Sequence, residues 1–104
     1  MAKFVFAYHG GGAPESEAEG AAVMKAWTDW FTSLGSAVVD GGNPTGASST
    51  VGSDGSISQG GGANPVTGYS LISADSLDAA LVIAKGCPQL ASGGTIEVAE
   101  TIDM

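Results

Sequence analysis

Between Lys3 and Tyr8 the chain is apolar in both phases of a two-residue alternation: Phe4, Phe6 and Tyr8 point one way, Val5 and Ala7 the other. That pattern predicts a central strand over residues 3–8, covered on both sides. From residue 16 the period changes. Val23, Trp27, Trp30, Phe31 and Leu34 follow three- and four-residue spacing, which predicts a helix over 16–34 with one buried stripe. Pro14 precedes it, Glu15, Glu17 and Glu19 put negative charge at its positive end, and Gly35 stops it. Ala37-Val38-Val39 reads as a short second strand closed by Asp40-Gly41-Gly42.

Residues 41–65 are rich in Gly, Ser and Asn. A structureless loop of that length is unusual in a small domain. Thr50-Val51 and Ser56-Ile57 flank Ser53-Asp54-Gly55, the pattern of a small hairpin inside it, and Gly60 to Gly62 read as a mobile stretch. Val66 to Ala74 is a third strand. Asp75 or Ser76 caps a second helix whose stripe is Leu77, Ala80, Leu81 and Ala84. Gly86 ends that helix and Pro88 blocks its resumption. Thr95 to Glu100 is a fourth strand, with Ile96 and Val98 on one side and Thr95, Glu97 and Ala99 on the other.

The order βαββαβ is a split βαβ pattern, as in ferredoxin-like α+β folds. It predicts a four-stranded antiparallel sheet in the order 4-1-3-2 with both helices on one face. The C-terminal ends of the first two strands then share a sheet end with the N-terminal ends of the last two. His9, Asp40, Tyr69 and Glu97 are expected there, beside the glycine turns His9-Gly10-Gly11-Gly12, Asp40-Gly41-Gly42 and Gly93-Gly94. The face without helices is apolar, which predicts a homodimer packed sheet against sheet.

Composition narrows the function classes. The 104 residues fit one domain, 1–104, and a 43% hydrophobic content argues for a folded core. Eleven acids stand against Lys3, Lys25 and Lys85, with no arginine, for a net charge of −8. Such a chain builds no basic face for nucleic acid, and anionic membranes repel it. No run approaches the roughly 20 apolar residues of a membrane span. Cys87 is the only cysteine, so no internal disulfide forms and a reducing cytoplasm suits the chain. One histidine and no cysteine pair argue against a transition-metal site, and no cofactor is expected.

Several segments together resemble the YCII-related family: Tyr8-His9-Gly10-Gly11-Gly12, Gly68-Tyr69-Ser70-Leu71-Ile72, Ala74-Asp75-Ser76-Leu77-Asp78-Ala79-Ala80, and Gly86-Cys87-Pro88 through to Gly93-Gly94-Thr95-Ile96-Glu97-Val98. The likeness spans nearly the whole chain and is most specific from Gly68 to Val98. It implies a dimeric α+β barrel. Some members carry Asp-Gly-Pro-Phe before the third strand, where this chain has Gly61-Gly62-Ala63-Asn64-Pro65. The resemblance also implies lyase or isomerase chemistry in some members through a His–Asp pair in the cleft, with His9 and Asp40 the nearest candidates here.

The residues themselves give His9 two readings. As an acid–base group at neutral pH it needs a carboxylate to orient it, with Glu97 the first choice and Asp40 the second. As a strand end it simply bonds a loop carbonyl. Asp40 equally suits a turn before Gly-Gly, and Tyr69 suits either the cleft or the packing. Gly10, Gly11 and Gly94 are expected to let a small molecule approach the backbone. His-Gly-Gly-Gly is not an esterase oxyanion hole, since no Gly-x-Ser-x-Gly elbow accompanies it. Trp27, Trp30 and Phe31 read as core, and Cys87 as a small buried hydrophobe. The resulting expectation is a small-molecule-binding dimer, enzymatic through His9 or else a binding or sensing module.

Overall fold

Strand β1 (Ala2–His9) lies inside a four-stranded sheet, paired antiparallel on one side with β5 (Val66–Ala74) and on the other with β6 (Thr95–Glu100). This computed structural model describes residues 2–104. Strand β2 (Val38–Asp40) pairs with the outer edge of β5, so the order across the sheet is β2-β5-β1-β6. The chain is therefore α+β with an antiparallel sheet.

Helix α1 (Glu17–Leu34) starts at Ser16, whose hydroxyl accepts from the Glu19 amide at 3.1 Å, and ends at Gly35, in the left-handed region at φ 56°. A 3₁₀ turn over Gly35–Ala37 absorbs Ala37, which the sequence pattern assigns to the second strand. The predicted small hairpin is present as β3 (Ser49–Val51) and β4 (Ile57–Gln59), an antiparallel pair with its turn at Ser53-Asp54. Its cross-strand apolar pair, Val51 and Ile57, is largely exposed.

Ser76, the second of two expected caps, starts α2 (Leu77–Lys85) by accepting from the Ala79 amide. Two expectations fail in this region. Pro88 does not block a helix; it opens α3 (Pro88–Ala91), because a proline at the first helical position loses no needed N–H bond. The buried stripe of α2 is also displaced. Ala80 and Ala84 are buried with Ala79 and Ile83 beside them, whereas Leu77 and Leu81 remain 46% and 40% exposed. Alanines at the contact line bring the helix close to the sheet, and the leucines fall on its flank.

The core gathers on one sheet face. Phe4, Phe6, Tyr8, Ile72 and Ala74 meet Trp30 of α1, Ala80 and Ala84 of α2, and Cys87. Trp27, Trp30 and Phe31 make edge and tilted ring contacts 5.1–5.8 Å apart, and Trp27 meets the Tyr8 ring edge-on at 5.2 Å. Helices thus lie on the Phe4–Phe6–Tyr8 side alone. The other face, with Val5, Ala7, Tyr69 and Leu71, has no helix over it. Val5, expected in a strand covered on both sides, is 37% exposed. The molecule is a slab with principal extents of 43 × 42 × 18 Å, its short dimension fitting one sheet and one helix layer. Its radius of gyration of 14.9 Å exceeds the roughly 13 Å of a compact domain of this length.

Candidate functional site

His9 ends β1 at a break in the sheet register. Tyr8 opposes Gly68, but His9 opposes Val66, so Thr67 is the extra residue of a bulge. The bulge leaves the imidazole on the uncovered face with its side chain 16% exposed. Its Nδ1 lies 3.0 Å from the backbone carbonyl of Asn64. A carbonyl only accepts, so Nδ1 carries the hydrogen, and the neutral ring holds its lone pair on Nε2. That nitrogen lies 3.3 Å from Oε1 of Glu97, within ion-pair distance but off hydrogen-bond geometry, and it is buried without a hydrogen-bond partner. A second proton on Nε2 converts this contact into an imidazolium–carboxylate pair. The arrangement can therefore take up and release one proton at a defined atom.

Glu97 faces away from the core, since Ile96 and Val98 pack against the helices, and its side chain is 72% exposed. Ala7 pairs with Tyr69 on one side and with Glu97 on the other. One row across the sheet thus reads Tyr69, Ala7, Glu97, with a methyl group as its floor, and His9, two residues further along β1, stands in the adjacent row between Val66 and Thr95. Tyr69 is 40% exposed on this face. Asp40 does not join the row. It sits on the outer strand β2 opposite Leu71, and its carboxylate accepts from the Gly42 amide at 2.8 Å, closing a turn.

The glycines of the first and last turns converge on Gln89, a residue the sequence pattern gave no reason to single out. Its side-chain amide donates to the carbonyls of His9 at 3.0 Å and Gly10 at 3.1 Å. A Cβ at Gly94 would fall on that amide and 2.8 Å from the His9 carbonyl, and one at Gly11 would lie 3.2 Å from it. Gly10 also accepts from Thr67 Oγ1 at 3.2 Å. The packing around Gln89 therefore accounts for Gly11 and Gly94, while Gly10 stands in the left-handed region at φ 69°. Gln89 fastens the end of β1 to α3 and holds the His9 backbone in place. Only the tertiary fold brings α3 to the first turn, so no local signal in the sequence marks Gln89.

Beneath His9, on the core side, the Tyr8 hydroxyl donates to Ser70 Oγ at 2.7 Å, and Ser70 donates onward to the Gly41 carbonyl at 2.7 Å. Burial pushes the Tyr8 phenol well above its ordinary value, against the lowering effect of the Ser70 bond. Burial likewise pushes the Cys87 thiol up to about 11 from 9.0. Both groups are neutral at pH 7, and Cys87 is no nucleophile there. The folded state holds these protons more tightly than the unfolded chain does. Their contribution to stability is complete below about pH 9 and declines as pH rises from 9 towards 11 and beyond. Urea unfolding at a series of pH values is expected to show a falling midpoint above pH 9, with a shallower fall in Cys87→Ala. A flat midpoint to pH 11 would contradict the buried-thiol assignment.

Two surface grooves lie elsewhere on the molecule. One, of about 470 Å³, lies between α1 and α3 and is bordered by Glu15, Glu19, Val23, Pro88 and Ser92. The other, of about 550 Å³, lies between Thr45–Ser49 and Gln59–Thr67. Neither includes His9, Tyr69 or Glu97. The chemistry favours the open sheet face, because neither groove holds a group so placed for proton transfer. Among the described residues no cluster of His, Cys, Asp and Glu is suited to hold a metal ion, and no helix is long and apolar enough to cross a membrane. No protein-family model matches the chain, and no curated protein is a significant match.

Proposed function

We propose that this protein binds a small, uncharged or weakly charged molecule on the uncovered sheet face and acts on it through His9 and Glu97, as a cytoplasmic YCII-related homodimer. The observation that carries the reading is the His9–Glu97 contact on a face that no helix covers. In this reading two ferredoxin-like protomers pack sheet against sheet about a two-fold axis, forming the dimeric α+β barrel that the sequence resemblance implies. Val5, Leu71 and Tyr69 supply apolar contact, and the Tyr69–Ala7–Glu97 row becomes a cleft wall. His9 and Glu97 shuttle a proton in lyase or isomerase chemistry, and Tyr69 holds the ligand. Charge supports the ligand class: a chain of net charge −8 repels polyanions.

The same geometry also favours a second reading, a binding or sensing module without turnover. Nε2 is buried and the Glu97 carboxylate beside it is exposed, so the group a ligand meets first is a carboxylate rather than a free base.

A thermal-shift screen of small neutral compounds, with sedimentation to fix the mass, tests both readings. The expected species has twice the 10.2 kDa of the chain, and a binding compound raises its Tm. An enzyme loses turnover in His9→Ala, whereas a binding module retains affinity in His9→Phe and loses it when Tyr69 is cut back to alanine. A monomer in solution with no ligand-dependent shift sinks the proposal.

A further inference from the structure

Resting on the reading of His9 and Glu97 as the working pair, we propose that the Gly60–Pro65 loop is a positioning element that holds His9 in its Nδ1–H form, and that Glu97, rather than the imidazole, exchanges protons with a molecule on the sheet face. The loop is built for one shape. Gly60 and Gly62 occupy the left-handed region at φ 84° and 86°. The Gly60 amide donates to the Ser48 carbonyl at 2.8 Å, and the Gly60 carbonyl accepts from Thr50 Oγ1 at 2.6 Å, which ties the loop to the small hairpin. At Gly61 a Cβ would stand 3.0 Å from Pro65 Cβ and 3.1 Å from its Cα, so the loop folds back tightly upon itself. This path delivers the Asn64 carbonyl to Nδ1 at 3.0 Å, just ahead of Val66, the residue that opposes His9 across the bulge.

With Nδ1 committed, Nε2 is the only nitrogen free to change protonation. It is buried, and Glu97 is the one ionisable side chain within ion-pair distance of it among the described residues. A proton leaving the imidazolium breaks its Nε2–H bond and forms an O–H bond on Oε1. The ring becomes neutral and the carboxylate becomes a carboxylic acid, which then donates to the bound molecule. The reverse steps return the proton. Because its carboxylate is largely exposed, Glu97 is the end of the pair that a ligand can touch.

The chain has one histidine, so its ring signals stand alone in a two-bond ¹H–¹⁵N correlation spectrum. The neutral wild-type protein should show the Nδ1–H pattern. Gly61→Val, which wedges Pro65 outward on an exposed loop, should bring in the Nε2–H form. An Nε2–H pattern in the wild type, or an unchanged pattern in Gly61→Val, overturns the positioning role. The second readout is the rate at which diethyl pyrocarbonate acylates the ring, followed by mass at the His9 peptide. It should be slow in the wild type and several-fold faster in Glu97→Ala, which removes the carboxylate 3.3 Å from Nε2. Equal rates overturn the role of Glu97. Neither measurement uses a ligand, so a failed compound screen alongside the expected tautomer would remove the proposed function and leave the geometry of the pair standing.

Discussion

Replacing Gly42 with alanine is expected to cost about 3 kcal/mol or more, a large share of the stability of a marginally stable domain. Gly42 sits at φ 70°, where a side chain is strained, and its Cβ would fall on the carbonyl oxygen of Tyr69 and 2.8 Å from the carbonyl carbon. Tyr69 cannot yield, because β5 is held in the ladder between β2 and β1. The 41–45 segment would have to lift away instead. That sacrifices the Tyr69 amide bond to the Asn43 carbonyl, the Thr45 amide bond to the Thr67 carbonyl and the Ser70 bond to Gly41. Each is worth about 1 kcal/mol, and the loss of the last leaves the hydrogen of the buried Ser70 hydroxyl without its acceptor. Gly46→Ala is the control, since nothing lies within 4 Å of a Cβ there and its φ is ordinary. Urea denaturation reads the difference. A Gly42→Ala midpoint equal to that of Gly46→Ala would mean that the 41–45 segment does not lie against β5.

The second large effect is Phe6→Ala, with an expected loss of 3–5 kcal/mol. Phe6 is completely buried, opposite Ser70 on β5 and Val98 on β6, with its ring centroid 6.5 Å from that of Trp30. Truncation opens a cavity at the centre of the single helix-to-sheet contact layer, and neither neighbouring strand can close it without breaking the ladder. At about 4–8 °C per kcal/mol for a domain near this size, the melting temperature should drop by about 12 °C or more. Phe6→Leu keeps most of the volume and should cost much less. A drop of only a few degrees in Phe6→Ala would contradict the packing of α1 on the sheet through Trp30.

These two sites also show how the fold can be read from sequence. Phe6 was legible because core packing imposes a period on the residues that make it. Its alternation with Val5 and Ala7 marked the strand, and the spacing of Trp27, Trp30 and Phe31 marked the helix stripe that meets it. Gly42 was legible only as a turn. The reason it must be glycine is the carbonyl of Tyr69, a contact between distant segments that leaves no local trace. The leucines of α2 misled for a related reason. Hydrophobicity alone put Leu77 and Leu81 on the contact line, but the small side chains of Ala80 and Ala84 set how close the helix lies. Pro88 misled because a proline that cannot continue one helix is well suited to begin the next.

The candidate site divides along the same line. Strand periodicity, the capping serines and the glycine stops are properties of neighbouring residues, and they determined the elements and the glycine turns at the ends of β1 and β2 and before β6. Which carboxylate meets His9 was not a property of neighbours. Sequence left Glu97 and Asp40 both open; the pairing of β1 with β6 brings one to 3.3 Å, while the place of β2 beyond β5 leaves the other to its turn. The bulge at Thr67, the Asn64 carbonyl on Nδ1 and the Gln89 amide beneath the first turn belong to the tertiary structure alone. Each is a backbone contact across the fold, and backbone carbonyls are the same at every residue, so the side-chain sequence carries no mark of where they will land.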